Sequence, residues 1–269
     1  MSKSQLAIGV FDSGMGGLTV LRALRRELPH ESFIYLGDTA RLPYGTKSPE
    51  TVQQYAAQMA RLLVDRRIKA LVIACNTATT AALPYLQSML PDMLVLGVVS
   101  PGAKAAVAAT KNQRIAVLAT ETTIAANAYQ RLITDQLPKA VIYARACSLL
   151  VALAEEGMVS NHIARATLEH YLLDIKDEDT ILLGCTHFPV FKSLISSLLP
   201  ARVSVVDSAD ATALTLRKLL AQGDLLSSGK NNRSDVLYLV TDSVNRFQKV
   251  GEIFLAEPLL LADIELVDV

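Results

Sequence analysis

Val72-Ile73-Ala74-Cys75-Asn76-Thr77 and Leu182-Leu183-Gly184-Cys185-Thr186-His187 share one pattern: an apolar run, a small residue, a cysteine, then hydrogen-bonding residues. The apolar runs are short and rich in branched side chains, as in strands buried on both faces. Working outward, comparable runs recur at Leu6 to Phe11, Ser32 to Leu36, Ala70 to Ala74, Leu94 to Val98, Arg114 to Ala119, Val141 to Ala144, Thr180 to Leu183, Val203 to Val206 and Val236 to Val240, with a last short one at Ala262 to Val267. Stretches of helical period separate them, among them Leu18 to Leu28, Glu50 to Arg67, Ile124 to Leu137, Ile163 to Leu173 and Ala211 to Ala221. This alternation predicts an α/β fold with parallel sheets. The cysteines are 185 − 75 = 110 residues apart, so the repeat predicts two similar α/β lobes related by pseudo-two-fold symmetry. Ligands of open parallel sheets bind beyond the carboxyl ends of the strands. Both cysteines fall at such an end, which puts the expected site in the cleft between the lobes.

Composition narrows the function. The chain has 269 residues, 51% apolar and 19% charged, with 26 basic and 26 acidic side chains and no net charge. That is too apolar for disorder and too neutral for a general nucleic-acid-binding field. Arg22, Arg25 and Arg26 read as one solvated helix face. The most apolar window, Ala70 to Leu83, is broken by Asn76 and several threonines and is too short to span a membrane. Met1 to Leu6 has one lysine and no long apolar core, so no secretory signal is expected and the protein is expected in the cytoplasm. Gly223 to Asp235 reads as an exposed loop. Softer breaks at Ser100-Pro101-Gly102 and Val206-Asp207-Ser208 divide the chain into a discontinuous first lobe, 1–98 plus 212–269, and a second lobe, 99–211.

Three cysteines, Cys75, Cys147 and Cys185, make no disulfide framework in a chain of this size. A free cysteine is usually a small buried hydrophobe, which suits Cys147. Cys75 and Cys185 lie past strand ends beside polar groups, where a helix amino terminus and nearby donors stabilise a thiolate. Zinc on Cys75, Cys147, Cys185 and His187 lacks the usual close ligand spacing, and Cys-x-x-Cys is absent. A Cys185–His187 hydrolase would leave the Cys75 half-site idle. Phe11-Asp12-Ser13-Gly14-Met15-Gly16-Gly17 follows a strand and opens a helix, where exposed amides can hold an anion such as a carboxylate. It matches neither dinucleotide nor P-loop spacing. Asp12, at a strand end, can act as a base or orient a neighbour. Gly37-Asp38-Thr39 and Pro43-Tyr44-Gly45 come next; the amides and the Tyr44 hydroxyl can grip a small polar ligand. Glu155-Glu156 reads as a solvated helix end, and Asp207 as a helix cap.

Gly9-Val10-Phe11-Asp12-Ser13-Gly14, Gly37-Asp38-Thr39-Ala40-Arg41, Pro43-Tyr44-Gly45, Ala74-Cys75-Asn76-Thr77-Ala78-Thr79 and Gly184-Cys185-Thr186-His187-Phe188-Pro189 resemble, in order, the signature segments of bacterial glutamate racemases, within the aspartate/glutamate racemase superfamily. The likeness runs from about Ile8 to Ala221, more weakly to Phe254. It departs between Cys147 and Glu155, where Ser148 and Ala152 stand in place of the family's prolines, and mildly at Met15. The resemblance implies cofactor-independent interconversion of L- and D-glutamate, supplying D-glutamate for peptidoglycan. It also implies two catalytic thiols, Cys75 assisted by Asp12 and Cys185 assisted by His187. Asp12, Ser13, Tyr44, Gly45, Asn76, Thr77, Thr186 and His187 would bind substrate, and Asp38 and Glu155 would tune protonation.

Two thiols suit that task, since inverting a stereocentre by proton transfer needs a base on one face and an acid on the other. No cofactor and no metal are called for; the partner is glutamate, not nucleic acid or membrane, and a homodimer is compatible with the sequence. Two rivals stand beside this reading: a racemase of another acidic amino acid such as aspartate, and a non-catalytic protein-binding regulator on the same fold.

Overall fold

The runs read as strands do pair in parallel. The computed structural model describes residues 2–228 and 235–269, which leaves the middle of the expected Gly223–Asp235 loop outside the described residues. Strands β1 (Ile8–Asp12), β2 (Phe33–Gly37), β3 (Ala70–Ile73), β4 (Leu94–Gly97), β9 (Val236–Val240) and β10 (Ile264–Leu266) form one sheet, and β5 (Arg114–Ala119), β6 (Val141–Ala146), β7 (Thr180–Gly184) and β8 (Ser204–Asp207) another. Their spatial orders are β10-β9-β2-β1-β3-β4 and β6-β5-β7-β8, every neighbour parallel. The order β2-β1-β3-β4 thus recurs as β6-β5-β7-β8, with β9 and β10 added at one edge of the first sheet. The two lobes are similar because the same strand order is built twice, and Cys75 and Cys185 occupy equivalent places after β3 and β7.

Helices α1 (Leu18–Glu27), α2 (Pro49–Asp65), α3 (Asn76–Met89), α4 (Val99–Ala109), α5 (Glu121–Ala125), α6 (Ala128–Thr134), α7 (Leu149–Glu155), α8 (His162–Leu172), α9 (Lys192–Leu198), α10 (Ala209–Gln222) and α11 (Val244–Leu255) cover the sheets. α10 packs on α1 of the six-stranded lobe and on α4 of the four-stranded one. β1, β2, β3 and β7 are buried throughout, as expected of apolar strands covered on both faces.

Several expectations need correction. Ile124 to Leu137 is not one helix: Asn127, at φ 53°, separates α5 from α6, because asparagine enters the left-handed region more readily than most residues and apolar periodicity continues across such a break. The first strand begins at Ile8, after a 3-10 turn over Lys3–Gln5, and includes Asp12. The soft break Ser100-Pro101-Gly102 falls in the first turn of α4, where proline's missing N–H costs no helical bond. Val203 lies ahead of β8, and the last expected strand is halved by a 3-10 turn, Leu261–Asp263. Of the arginines read as a solvated face, Arg22 and Arg26 are exposed, and only Arg25 is half-buried, paired with Glu257.

Candidate active site

Cys75 caps the amino terminus of α3, its Sγ accepting from the Ala78 amide at 3.4 Å and lying 3.6 Å from Ser13 Oγ. The thiol is only 5% exposed. Burial, then the neighbouring Asp12 carboxylate, push it up to about 12, against the Ala78 amide and the Ser13 hydroxyl. The expected stabilisation of the thiolate by the helix terminus is therefore present but outweighed.

Cys185, 6% exposed, faces His187, with Sγ and Nδ1 3.9 Å apart. His187 Nε2 meets Glu155 Oε1 at 3.1 Å, and the ring sits edge-on to Phe254. Burial disfavours the imidazolium, but hydrogen bonds to Cys185 and Glu155 outweigh it and push His187 up to about 10. Glu155 is thus no solvated helix end: it is buried at the end of α7 between His187 and Arg246, while only Glu156 is exposed.

The glycine loop after β1 also differs from expectation. Its Gly17, Gly14 and Ser13 amides point at the Asp12 carboxylate itself, so the anion they hold is part of the chain. Burial nevertheless raises the Asp12 carboxyl above its ordinary range, against those amides and the charge of His187. A Cβ on Gly16 would lie 2.4 Å from His187 Nδ1, and one on Gly17 2.5 Å from Asp12 Cβ. The glycines are there to let the two lobes' polar side chains close on the loop.

One cavity of about 210 Å³ is lined by both cysteines together with Ser13, Tyr44, Gly45, Asn76, Thr77, Glu155, Thr186 and His187. Its volume falls below the roughly 300–1,000 Å³ of drug-sized ligand sites, in keeping with a small acid. Asp12 and Asp38 do not line it. Asp12 lies beneath the floor, 3.4 Å from Thr186 Oγ1. Asp38 accepts from Arg41, Thr241 and the Tyr44 hydroxyl. The Tyr44 hydroxyl donates its hydrogen to Asp38, which leaves its oxygen to face a ligand only as an acceptor. What that turn offers the cavity is the first amides of a 3-10 turn, Tyr44–Thr46, which have no acceptor within the turn.

Six wall residues escaped sequence reasoning: Leu42, Thr46, Thr120, Ser148, Val151 and Ala152. Thr120 follows β5 and forms a hydroxyl triad with Thr77 and Thr123, 3.0 to 3.4 Å apart. The hydroxyl-rich run Thr120 to Thr123 at a strand end was the available signal. Ser148 and Ala152, singled out only as departures from a proline pattern, stand on the α7 side of the cavity. Cys147 is buried in the core, outside the cavity wall. Among the described residues, no group of three or more His, Cys, Asp or Glu is arranged to hold a metal ion.

The cavity wall carries no lysine or arginine, so anionic groups of a ligand would be met by amides, hydroxyls and the His187 imidazolium. Two thiols opening on one such space can handle protons on two faces of one small molecule.

Comparison with known proteins agrees with this geometry. The sequence profile of the Asp/Glu/hydantoin racemase family matches residues 8–216. A glutamate racemase of Geobacter metallireducens is 46% identical over 253 residues, covering 93% of this chain and 92% of the relative. The crystal structure of glutamate racemase from Francisella tularensis in complex with D-glutamate superposes with a TM-score of 0.90 at 37% identity, covering 98% of each chain. A glutamate racemase isoform from Bacillus anthracis gives 0.92 at 36% identity, again over 98% of each chain.

Proposed function

The chain belongs to the Asp/Glu/hydantoin racemase family and is an isomerase that interconverts L- and D-glutamate, and from that premise we propose that Cys75 and Cys185 are its acid and base. The observation that carries the proposal is that the two thiols hold equivalent positions after the third strand of each sheet and line one cavity. One sulfur, as thiolate, takes the α-proton from one face of glutamate. The other, as thiol, gives its proton to the opposite face. For the other enantiomer the roles reverse, and after each turnover the proton has changed sides.

Burial makes the Cys75 thiolate scarce, but a thiolate of high proton affinity is also a stronger base. The substrate's α-ammonium brings a positive charge into a cavity that has no lysine or arginine, and so favours the thiolate when it is needed. On the other side, the Glu155–His187 pair holds an imidazolium next to Cys185. Preorganised donors around the α-carboxylate stabilise the carbanion. Ser13, the Tyr44–Gly45 amides, Asn76, Thr77 and Thr186 supply them; Thr120 adds another hydroxyl. We assign Asp12 to the Cys75 side as an indirect partner beneath the floor, and Asp38 to holding the Tyr44 turn.

We draw the lobes as 1–98 plus 212–269 and 99–211, which keeps each sheet whole. We place the protein in the cytoplasm, where unpaired thiols stay reduced, and its D-glutamate in bacterial peptidoglycan synthesis. No helix among the described residues is long and apolar enough to cross a membrane.

In deuterium oxide with L-glutamate as substrate, early D-product should carry solvent deuterium at the α-carbon while recovered L-substrate carries little. Rapid labelling of both pools would mean a single base and would overturn the two-thiol assignment. Cys75→Ser and Cys185→Ser should each lower racemisation by about 10²–10⁴-fold, the range of a general acid or base. Unchanged activity in either variant removes that residue from the mechanism.

A further inference from the structure

Tyr129 is fully buried at the start of α6 in the four-stranded lobe, yet its hydroxyl donates to Asn76 Oδ1 of the other lobe at 2.6 Å. Asn76 is the residue after Cys75 and lines the cavity. Its Nδ2 is buried and has no partner among the described residues. A buried amide donor without an acceptor is costly, which makes sense where a ligand supplies the acceptor.

The direction of the amide follows from its neighbour. Tyr129 donates to the Asn76 oxygen, and burial holds the phenol protonated. The phenolic hydrogen goes to Asn76 Oδ1, which leaves Nδ2 as the uncommitted donor of a residue on the cavity wall. The chain makes room for this arrangement at two glycines. A Cβ on Gly102 would lie 3.0 Å from both Tyr129 Oη and Ser208 Cβ, and one on Gly184 would lie 2.8 Å from Tyr129 Cε2. Gly184 precedes Cys185, so the tyrosine ring is seated against one cysteine's strand end while its hydroxyl reaches the residue beside the other.

We propose that Tyr129 is a positioning residue of the glutamate site: bridging the lobes, it holds the Asn76 side chain so that Nδ2 donates to bound glutamate. The proposal rests on the substrate site described above, and its test separates the two. The cysteine variants report on that site through turnover, whereas Tyr129 acts on binding.

Tyr129→Phe should raise KM for both L- and D-glutamate about tenfold, the effect of one lost or misdirected hydrogen bond. Its kcat should stay within about twofold, because the contact is made in ground and transition states alike. Asn76→Ala should raise KM as well, and adding Tyr129→Phe to it should change nothing further. Asn76→Asp keeps the acceptor for Tyr129 but loses the donor, and should bind glutamate as poorly as Asn76→Ala; this variant keeps the test open if Tyr129→Phe does not fold. An unchanged KM in Tyr129→Phe, a full additional loss in the Asn76→Ala background, or wild-type binding by Asn76→Asp would each overturn the proposal.

Discussion

Cys75 is the residue whose chemistry departs most from its neighbourhood's appearance. A sulfur at a helix amino terminus, with an amide 3.4 Å away, looks poised for ionisation. Yet desolvation and a carboxylate beneath the floor dominate, and the thiol is pushed up to about 12. A buried charge is expensive, and one neutral amide and one hydroxyl do not replace a hydration shell. In the substrate-free enzyme, Cys75 should accordingly react slowly with iodoacetamide at pH 7.5. The rate, followed by mass spectrometry of the Cys75 peptide, should keep rising above pH 9. A plateau reached by pH 8 would show that the thiolate is stabilised without substrate.

At the scale of elements, the loop between β1 and α1 joins the two half-sites. Its amides hold Asp12, its Gly16 backbone faces His187, and Thr19 Oγ1 in the first turn of α1 makes a second tie by donating to Thr186 O at 3.0 Å. Gly16→Ala would put a methyl group 2.4 Å from His187 Nδ1. The imidazole is flanked by Cys185, Glu155 and Phe254, so it has little room to retreat. The substitution should cost about 1–3 kcal/mol of stability, typical of overpacking. It should also lower kcat by displacing His187 from Cys185. Thermal melts and steady-state kinetics on the purified variant check both, and a variant with wild-type kcat would show that the contact is slack.

For the whole molecule, the lobes meet through buried polar groups, and the His187 site therefore links pH to stability. His187 is pushed from its ordinary 6.5 up to about 10 in the folded state. A group raised in this way stabilises the fold fully below about pH 6.5, and the contribution fades as pH climbs towards 10. The wild-type Tm should fall more between pH 6.5 and 9 than that of His187→Gln, measured by scanning calorimetry. Parallel curves would mean that His187 is neutral in the folded protein. Much of this molecule was legible in the chain itself. Strand positions, the doubled Cys-centred pattern and the strand-end placement of Asp12, Cys75 and Cys185 all follow from local periodicity, which neighbours in sequence enforce through backbone geometry. The break at Asn127 was not legible, because apolar spacing runs through it while a single backbone dihedral decides it. Nor could sequence say that the glycine-loop amides are taken up by Asp12, that the Tyr44 hydroxyl donates to Asp38, or that Glu155 is buried against His187. Those outcomes, like the bond from Tyr129 to Asn76, depend on which donor meets which acceptor once segments far apart in the chain are packed and desolvated together. Such pairings are set by tertiary geometry alone.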